Sequence, residues 1–400
     1  MTKKALAGVR VLDLTHMLSG PYGAMILADL GAETIKVEPL HGEGTRKLLA
    51  TDPANSLKGM GAYFITLNRN KQSVAIDLKS DAGRAEFYRL VEHSDIVISN
   101  FGVGVPERLG IDYASLKKVN PRIITCTVTG FGSDGPACLE PAFDQVAQAT
   151  GGGMSITGTD AQQPVRAGIP IGDLGGGMFG VMGILAALYE REQSGIGQHV
   201  DIAMLDCQIS LLNYMATMHF LSGEDPYPIG NGHFVHVPYN TFRCSDGFIV
   251  IAVITDNFWQ NLKQVVPCPA FDDPALDGQP GRWAAKEEIE HHLNAMLSEK
   301  PCNYWLKRLK EKRIPCAPVN RLSQALRDPQ VQHRNMVVKL EHPEGDSTYG
   351  PGNPIKMSRA GEDTFTAAPL VGQHTDEVFS ELLGYSQTQI TELRQQGVIA

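Results

Sequence analysis

The fold is decided by LAGVRVLDLTHMLSGPYGAMILADLGAETIKVE, residues 6–38. VRVLDL (9–14) is a short apolar run of strand length, closed by the turn-like Ser19-Gly20-Pro21. Tyr22–Leu30 repeats its apolar residues at helical spacing and stops at Gly31, a C-cap position. TIKVE (34–38) is a second strand. A strand, a helix and another strand within about thirty residues form a βαβ unit, which requires parallel strands. The alternation continues downstream. SVAIDL (73–78), DIVIS (95–99) and RIITCTVTG (122–130) read as strands, with a helix over 81–93. The expected fold is therefore α/β, a Rossmann-like large domain around a parallel sheet.

Farther along, helices are expected at 174–192 and 202–221, joined by SGIGQHV as a turn. The Gly- and Pro-rich stretch 222–240 reads as a boundary. FIVIAVI (248–254) and helices near 256–266, 283–298 and 301–312 then suggest a smaller inserted α+β domain. The expected divisions are a large domain over 1–222, a small domain over 223–325 and a return to the large domain over 326–400. The loop 38–70 is long for a compact domain, which marks it as functional or disordered.

The 400 residues carry 44 acidic and 35 basic side chains, a net charge of −9, which disfavours nucleic-acid and anionic-membrane binding. Seven cysteines, an odd number without a CxxC pair, read as reduced thiols of a cytoplasmic protein. His291 and His292 are adjacent and lack metal-ligand spacing, so no metal is expected. No signal peptide is expected, and the apolar stretch 178–189 is too short to span a bilayer. The turn THMLSGPYGAM lacks GxGxxG, no GxxxxGK[ST] occurs, and GxSxG is absent. Dinucleotide, P-loop and serine-hydrolase chemistries are thereby disfavoured.

One carboxylate stands out. Asp173, in IPIGDLGGGMFG, precedes a long helix amid Gly172, Gly175, Gly176 and Gly177. Its local reading is a helix N-cap. Its functional reading is a nucleophile, with glycines that admit a bulky substrate and offer backbone N–H groups to an oxyanion. Asn100 and Phe101 follow the strand DIVIS, where open α/β sheets bind ligands.

The blocks 6–38, YFITLNRNKQSVAIDLK (63–79), NFGVGVPERLGIDY (100–113), NPRIITCTVTGFGSDGP (120–136), AFDQVAQATGG (142–152), GDLGGGMFG (172–180) and PLVGQHTDEV (369–378) share their order and spacing with one family. The chain resembles the family III CoA-transferases of the CaiB/BaiF type over nearly its whole length. That resemblance implies a homodimer of two interlocked chains, with coenzyme A and acyl-CoA as substrates and no permanently bound cofactor. It assigns the covalent nucleophile to Asp173. Coenzyme A contacts fall on Leu18, Ser19, Ile76 to Lys79, Asn100, Phe101, Arg108 and Phe143, and Tyr63 stands near the acyl group. Leu18, Pro39 and Leu48 replace the glutamine, arginine and tryptophan of the formyl-CoA:oxalate member. VPYNTF (237–242) and GPGNPIKMS (350–358) look more like members that pair succinyl-CoA with glutarate, itaconate or citramalate. A dicarboxylic acid needs a cation for its second carboxylate, and Arg69, Arg166, His233 and His236 are the candidates. Racemases of the same superfamily need a histidine where Phe143 stands, and a phenyl ring cannot carry a proton.

Overall fold

The computed structural model describes residues 4–360 and 364–400. The chain divides into two compact units. The first holds residues up to Met154, Arg166–Glu224 and from Gln330 onward; the second holds Ser155–Val165 and Asp225–Pro329. The divisions at Glu224/Asp225 and Pro329/Gln330 compare with the expected 222/223 and 325/326. Ser155–Val165 differs from expectation by grouping with the second unit, where Gly230 N donates to Gly158 O at 2.8 Å.

The first unit is built on β1 (Arg10–Asp13), α1 (Ser19–Asp29), β2 (Glu33–Glu38), α2 (Ala62–Asn68), β3 (Lys71–Ala75), α3 (Asp81–Glu92) and β4 (Ile96–Ser99). Short helices α4 (Val105–Leu109) and α5 (Tyr113–Val119) lead to β5 (Ile124–Thr129) and α6 (Asp144–Thr150). Then come α7 (Ile171–Ser194), β6 (His199–Ala203), α8 (Met204–Leu212) and α9 (Tyr214–Ser222). Six strands form one parallel sheet in the order β3-β2-β1-β4-β5-β6. Successive side chains of a strand face opposite sides. Accordingly Leu12 and Val97 join Phe87, Leu90 and Phe379 on one face, while Val11 and Ile98 join Leu27, Val181 and Ile184 on the other. This strand order reverses direction between β1 and β4, and ligands of such sheets bind at the carboxyl ends there.

Five expectations change. Ser19-Gly20-Pro21 opens α1 rather than forming a turn, and β3 spans Lys71–Ala75 rather than 73–78. HVDIA (199–203) is the sixth strand rather than turn and helix, and the following helix breaks at Asn213, whose φ is +50°. The loop 38–70 contains α2 and a 3-10 turn at Gly44–Lys47. Helix α7 runs 24 residues, long and apolar enough to cross a membrane by length and composition. Its packing is that of a core helix: Val181, Ile184 and Ala187 are buried against the sheet with α1 residues.

In the second unit, β7 (Tyr239–Cys244), β8 (Gly247–Ala252) and β9 (Cys316–Pro318) form an antiparallel sheet. Helices α10 (Asp256–Val265), α11 (Gln279–Ala284), α12 (Lys286–Leu297) and α13 (Cys302–Glu311) accompany it. Its core gathers Phe242, Ile249, Trp259, Phe271, Leu293 and Leu309. In the returning tail, β10 (Val337–Glu341) and β11 (Ser347–Pro351) pair as a hairpin, followed by α14 (Thr375–Glu381) and α15 (Gln387–Gln395).

Candidate active site

The β1–α1 turn sits at the sheet's switch point and is held from beneath by buried charge. Asp13 accepts from the Thr15 amide (2.9 Å) and hydroxyl, and from Lys71 Nζ at 2.8 Å. Lys71 also donates to Pro21 O and Asn68 Oδ1, both at 3.1 Å, tying α1 and α2 to the same ammonium. Burial lowers the Lys71 pKa to about 8 against the pull of Asp13. Burial also raises Asp13, but Lys71 and Lys36 outweigh it and hold that carboxyl below its ordinary range. Lys36 Nζ donates to Thr15 O at 2.8 Å. Sequence reasoning passed over Asp13, Lys36 and Lys71. Their signal was charge within or at the start of a strand, Asp13 in VRVLDL, Lys36 in TIKVE and Lys71 opening β3, since a buried charge persists only when paired.

From the other side of the switch point, Asn100 grips the turn. Its Oδ1 accepts from His16 N (2.9 Å) and its Nδ2 donates to His16 O (2.6 Å). Its amide therefore shapes the turn, a different use from the expected ligand contact. Phe101 packs on the His16 ring with centroids 5.4 Å apart. Beside them opens a cavity of about 330 Å³, lined among others by His16, Val37, Ile76, Lys79 and Phe101. Ile76, Lys79 and Phe101, which the resemblance assigns to coenzyme A, thus line one space. Lys79 and Arg108 are exposed, and among the described residues neither side chain has an ion-pair partner. Leu18 and Ser19 open α1, with Leu18 half-buried and Ser19 buried.

Asp173 lies in the first turn of α7, and its local reading as a cap does not hold. The N-cap position is Pro170, which has no acceptor side chain, and Asp144 of α6 does the capping. Asp144 Oδ1 accepts from Gly172 N at 2.8 Å and from Asp173 N at 3.3 Å. Among the described residues, no hydrogen bond or ion pair engages the Asp173 carboxylate itself. Burial first, and the Asp144 charge second, raise its pKa from 3.8 to about 6. Tyr63 of α2 belongs to the same surroundings: burial, then Asp173, Glu43 and Asp144, push its phenol up to about 12, so it stays a neutral donor.

The glycines after Asp173 have another task than the one expected. A Cβ on Gly177 would lie 2.6 Å from the Ser19 carbonyl oxygen, and one on Gly176 2.7 Å from Ser19 Oγ. They let α1 and α7 touch through their backbones. Nor does the start of α7 offer free amides. Ile171 N donates to Ile169 O, Leu174 N to Pro170 O, and the two between them to Asp144.

Other candidates fall elsewhere. Arg69 is buried and spent. It donates to both Asp29 oxygens, at 3.2 and 2.7 Å, and to Pro351 O, so its candidacy for a substrate carboxylate is withdrawn. Arg166 is exposed, with Nη1 donating to Ala167 O at 3.3 Å. His233 lies in the second unit, stacked on Tyr239 at 5.0 Å, and its Nδ1 accepts from Val235 and His236 amides. Burial and then His236 lower its pKa, so the ring is neutral. Phe143 is 62% exposed at the start of α6 and supplies no proton carrier.

A model described as CoA-transferase family III matches residues 6–375. The acetyl-CoA:oxalate CoA-transferase of Acetobacter aceti is 37% identical over 354 residues, covering 88% of each chain. The succinate–glutarate CoA-transferase of Agrobacterium fabrum is 35% identical over 384 residues, covering 95% of this chain and 96% of that one. The crystal structure of a CaiB/BaiF family protein from Brucella suis superposes with a TM-score of 0.84 at 32% identity, covering 95% of this chain and all of that one.

Proposed function

Because the chain belongs to CoA-transferase family III, we propose that it moves coenzyme A from a short acyl-CoA, succinyl-CoA foremost, to a small dicarboxylic acid such as glutarate, itaconate or citramalate. The observation that carries the covalent part of this reading is the Asp173 carboxylate, half-buried at a helix start and, among the described residues, engaged by no other side chain. Its raised pKa keeps it ionised at neutral pH while making it more basic, and so more nucleophilic, than an exposed aspartate.

The reaction divides into four exchanges. An Asp173 oxygen attacks the donor thioester carbonyl, the C–S bond breaks, and a mixed anhydride and CoA thiolate result. The thiolate attacks the Asp173 carbonyl carbon of that anhydride, giving an aspartyl thioester and releasing the donor acid as its carboxylate. The acceptor carboxylate attacks the aspartyl thioester, forming a second anhydride and freeing the thiolate again. The thiolate then takes the new acyl group, and Asp173 is regenerated. No net proton or electron is needed. The neutral Tyr63 phenol, which feels the Asp173 charge, is suited to donate to an acyl oxygen during these steps. Lys79 and Arg108, exposed cations near the carboxyl end of the sheet, suit the phosphates of coenzyme A.

The acid pair rests on the departures at Leu18, Pro39 and Leu48 and on similarity to the glutarate relative. An interlocked homodimer in the cytoplasm completes the reading. The test is a mass-spectrometric screen of succinyl-, acetyl- and formyl-CoA against glutarate, itaconate, citramalate, oxalate and a monocarboxylate of glutarate's length. Glutarate should exceed that monocarboxylate by about 10-fold, the scale of one charge-assisted contact. Equal rates, or oxalate leading, would remove the dicarboxylate assignment.

A further inference from the structure

Helix α7 begins without a cap of its own. Pro170 stands at the N-cap position with no side-chain acceptor, and the next three amides, on Ile171, Gly172 and Asp173, must find partners outside the helix. Two of them, on Gly172 and on Asp173 itself, converge on Asp144 Oδ1, a group 28 and 29 residues earlier in the chain. The other Asp144 oxygen accepts from Gln148 Nε2 at 2.8 Å, one turn along α6. Gln148 is 2% exposed, and its Oε1 accepts from Ala167 N at 2.9 Å. Asp144 and Gln148 thus hold both the first turn of α7 and the strand of chain leading into it. The approach is so close that a Cβ on Gly172 would sit 3.0 Å from Asp144 O and 3.1 Å from Oδ1.

This arrangement solves a conflict. An aspartate in the first turn of a helix ordinarily bends back to bond the orphan amides. Here another carboxylate has taken those amides, so Asp173 is free to face a substrate. The geometry points to Asp144 as a positioning residue for CoA transfer: it caps the nucleophile's helix from α6, and Gln148 fixes it in place. The inference rests on the proposed nucleophilic role of Asp173.

The charge of Asp144 has a second effect, since it is the neighbouring charge that helps hold the Asp173 pKa at about 6. Burial and Asp144 are what shift that carboxyl, and the other titratable groups on elements packed against α7 do not. Tyr63 of α2 is a neutral phenol; α1 carries Tyr22 and, at its far end, Asp29; β5 carries Cys126; α8 carries the exposed Asp206 and, against Gly175, the buried Cys207, whose thiol burial pushes up to about 11. On β6, His199 bonds Thr125 and Asp201 bonds Ser133.

The test uses the full-length chain with Asp144→Ala, Asp144→Asn, Gln148→Ala and Asp173→Asn in parallel. Asp144→Ala should lower kcat about 100-fold, the cost of about 1 Å of misplacement, with KM for acyl-CoA changed less than about 3-fold. Asp144→Asn keeps an oxygen that can accept the Gly172 and Asp173 amides. It should recover about 10-fold of that loss and move the acid limb of the kcat profile down by about half a pH unit or more. Gln148→Ala should fall between. A capping residue of purely structural importance would lower Tm in these variants and leave the acid limb unmoved. If Asp144→Ala keeps kcat within about 2-fold, or Asp144→Asn leaves the acid limb in place, the inference is overturned. Should Asp144→Ala fail to fold, the acid limb of Asp144→Asn decides alone. A fully active Asp173→Asn would instead overturn the nucleophile reading, separately from these outcomes.

Discussion

Replacing Asp173 by asparagine should make the protein more stable while abolishing transfer. The folded-state pKa of Asp173 is about 6 and its ordinary value is 3.8. A carboxyl whose pKa is raised on folding binds its proton more tightly in the folded state than in the unfolded one. Between pH 3.8 and about 6 the unfolded chain is the more ionised, so stability falls as pH rises through that window; above about 6 the full penalty persists. The distance from 3.8 to about 6 corresponds to about 3 kcal/mol at about 1.36 kcal/mol per pH unit. Partial solvent access reduces this, and about 1.5 kcal/mol is the expected gain at pH 7.5 for an isosteric carboxamide. For a chain of 400 residues that is a rise in Tm of about 2 °C. At pH 5 the gain should be about half as large, and near pH 4 it should be close to nothing. Thermal melts of the two proteins at pH 7.5, 5 and 4 measure it directly. If Asp173 were instead the cap of α7, asparagine would cap about as well, and the substitution would lose only the charge–dipole contribution of about 0.3–1 kcal/mol, a loss that shrinks with acid rather than a gain. A lower Tm for Asp173→Asn at pH 7.5, or a difference that does not shrink with acid, would refute the reasoning.

Three further outcomes are expected. Because Asp173 must be ionised to attack, kcat/KM for transfer should fall about tenfold per pH unit below about 6, reaching about a tenth of its plateau at pH 5; a flat profile down to pH 4.5 would place the nucleophile elsewhere. With Phe143 exposed and aprotic, incubation with 2-methylacyl-CoA in heavy water should give no deuterium at the α-carbon by mass spectrometry, and measurable uptake would favour an isomerase. Gly177→Ala should lose about 1–3 kcal/mol in urea denaturation, since its Cβ would lie 2.6 Å from a carbonyl oxygen of α1, and an unchanged midpoint would mean the two helices can separate freely.

Local sequence pattern carried much of this site. Strands β1, β2, β4 and β5 are short apolar runs bounded by turn residues, and period and boundary suffice to place them, whereas β3 forms over Lys71–Ala75, two residues ahead of the apolar SVAIDL. β6 escaped because His199, Val200, Asp201, Ile202 and Ala203 flow without a break into the apolar helix that follows. Ile76, Lys79 and Phe101 meet at one cavity because they sit at or just past the carboxyl ends of strands, a position the sequence marks. What stayed hidden was whatever depended on a partner far along the chain. The cap of α7 is Asp144, not a neighbour of Pro170, so the local rule gave the cap to Asp173. Arg69 looked available because nothing near it in sequence reveals Asp29, 40 residues earlier. The glycines near Asp173 suggested room for a substrate, whereas the backbone of α1 fills that room.

The edge strand β3 meets its last partners late in the life of the chain. Ser73 O accepts from His374 N, Ser73 N donates to His374 Nδ1, and Ala75 N donates to Thr375 Oγ1, across 301 and 300 residues for the latter two. Asp77 N reaches Val398 O, and Ile76 bridges Ile399, at the wall of the cavity that Ile76 helps to form. At about 5–20 residues per second, a ribosome needs about 15–60 s to travel from one side of these contacts to the other. All of Asp225–Pro329 is made during that interval. A nascent chain therefore carries a finished second unit while its first sheet still waits for its border. The border of the first sheet can therefore close only after the whole of the second unit has been made.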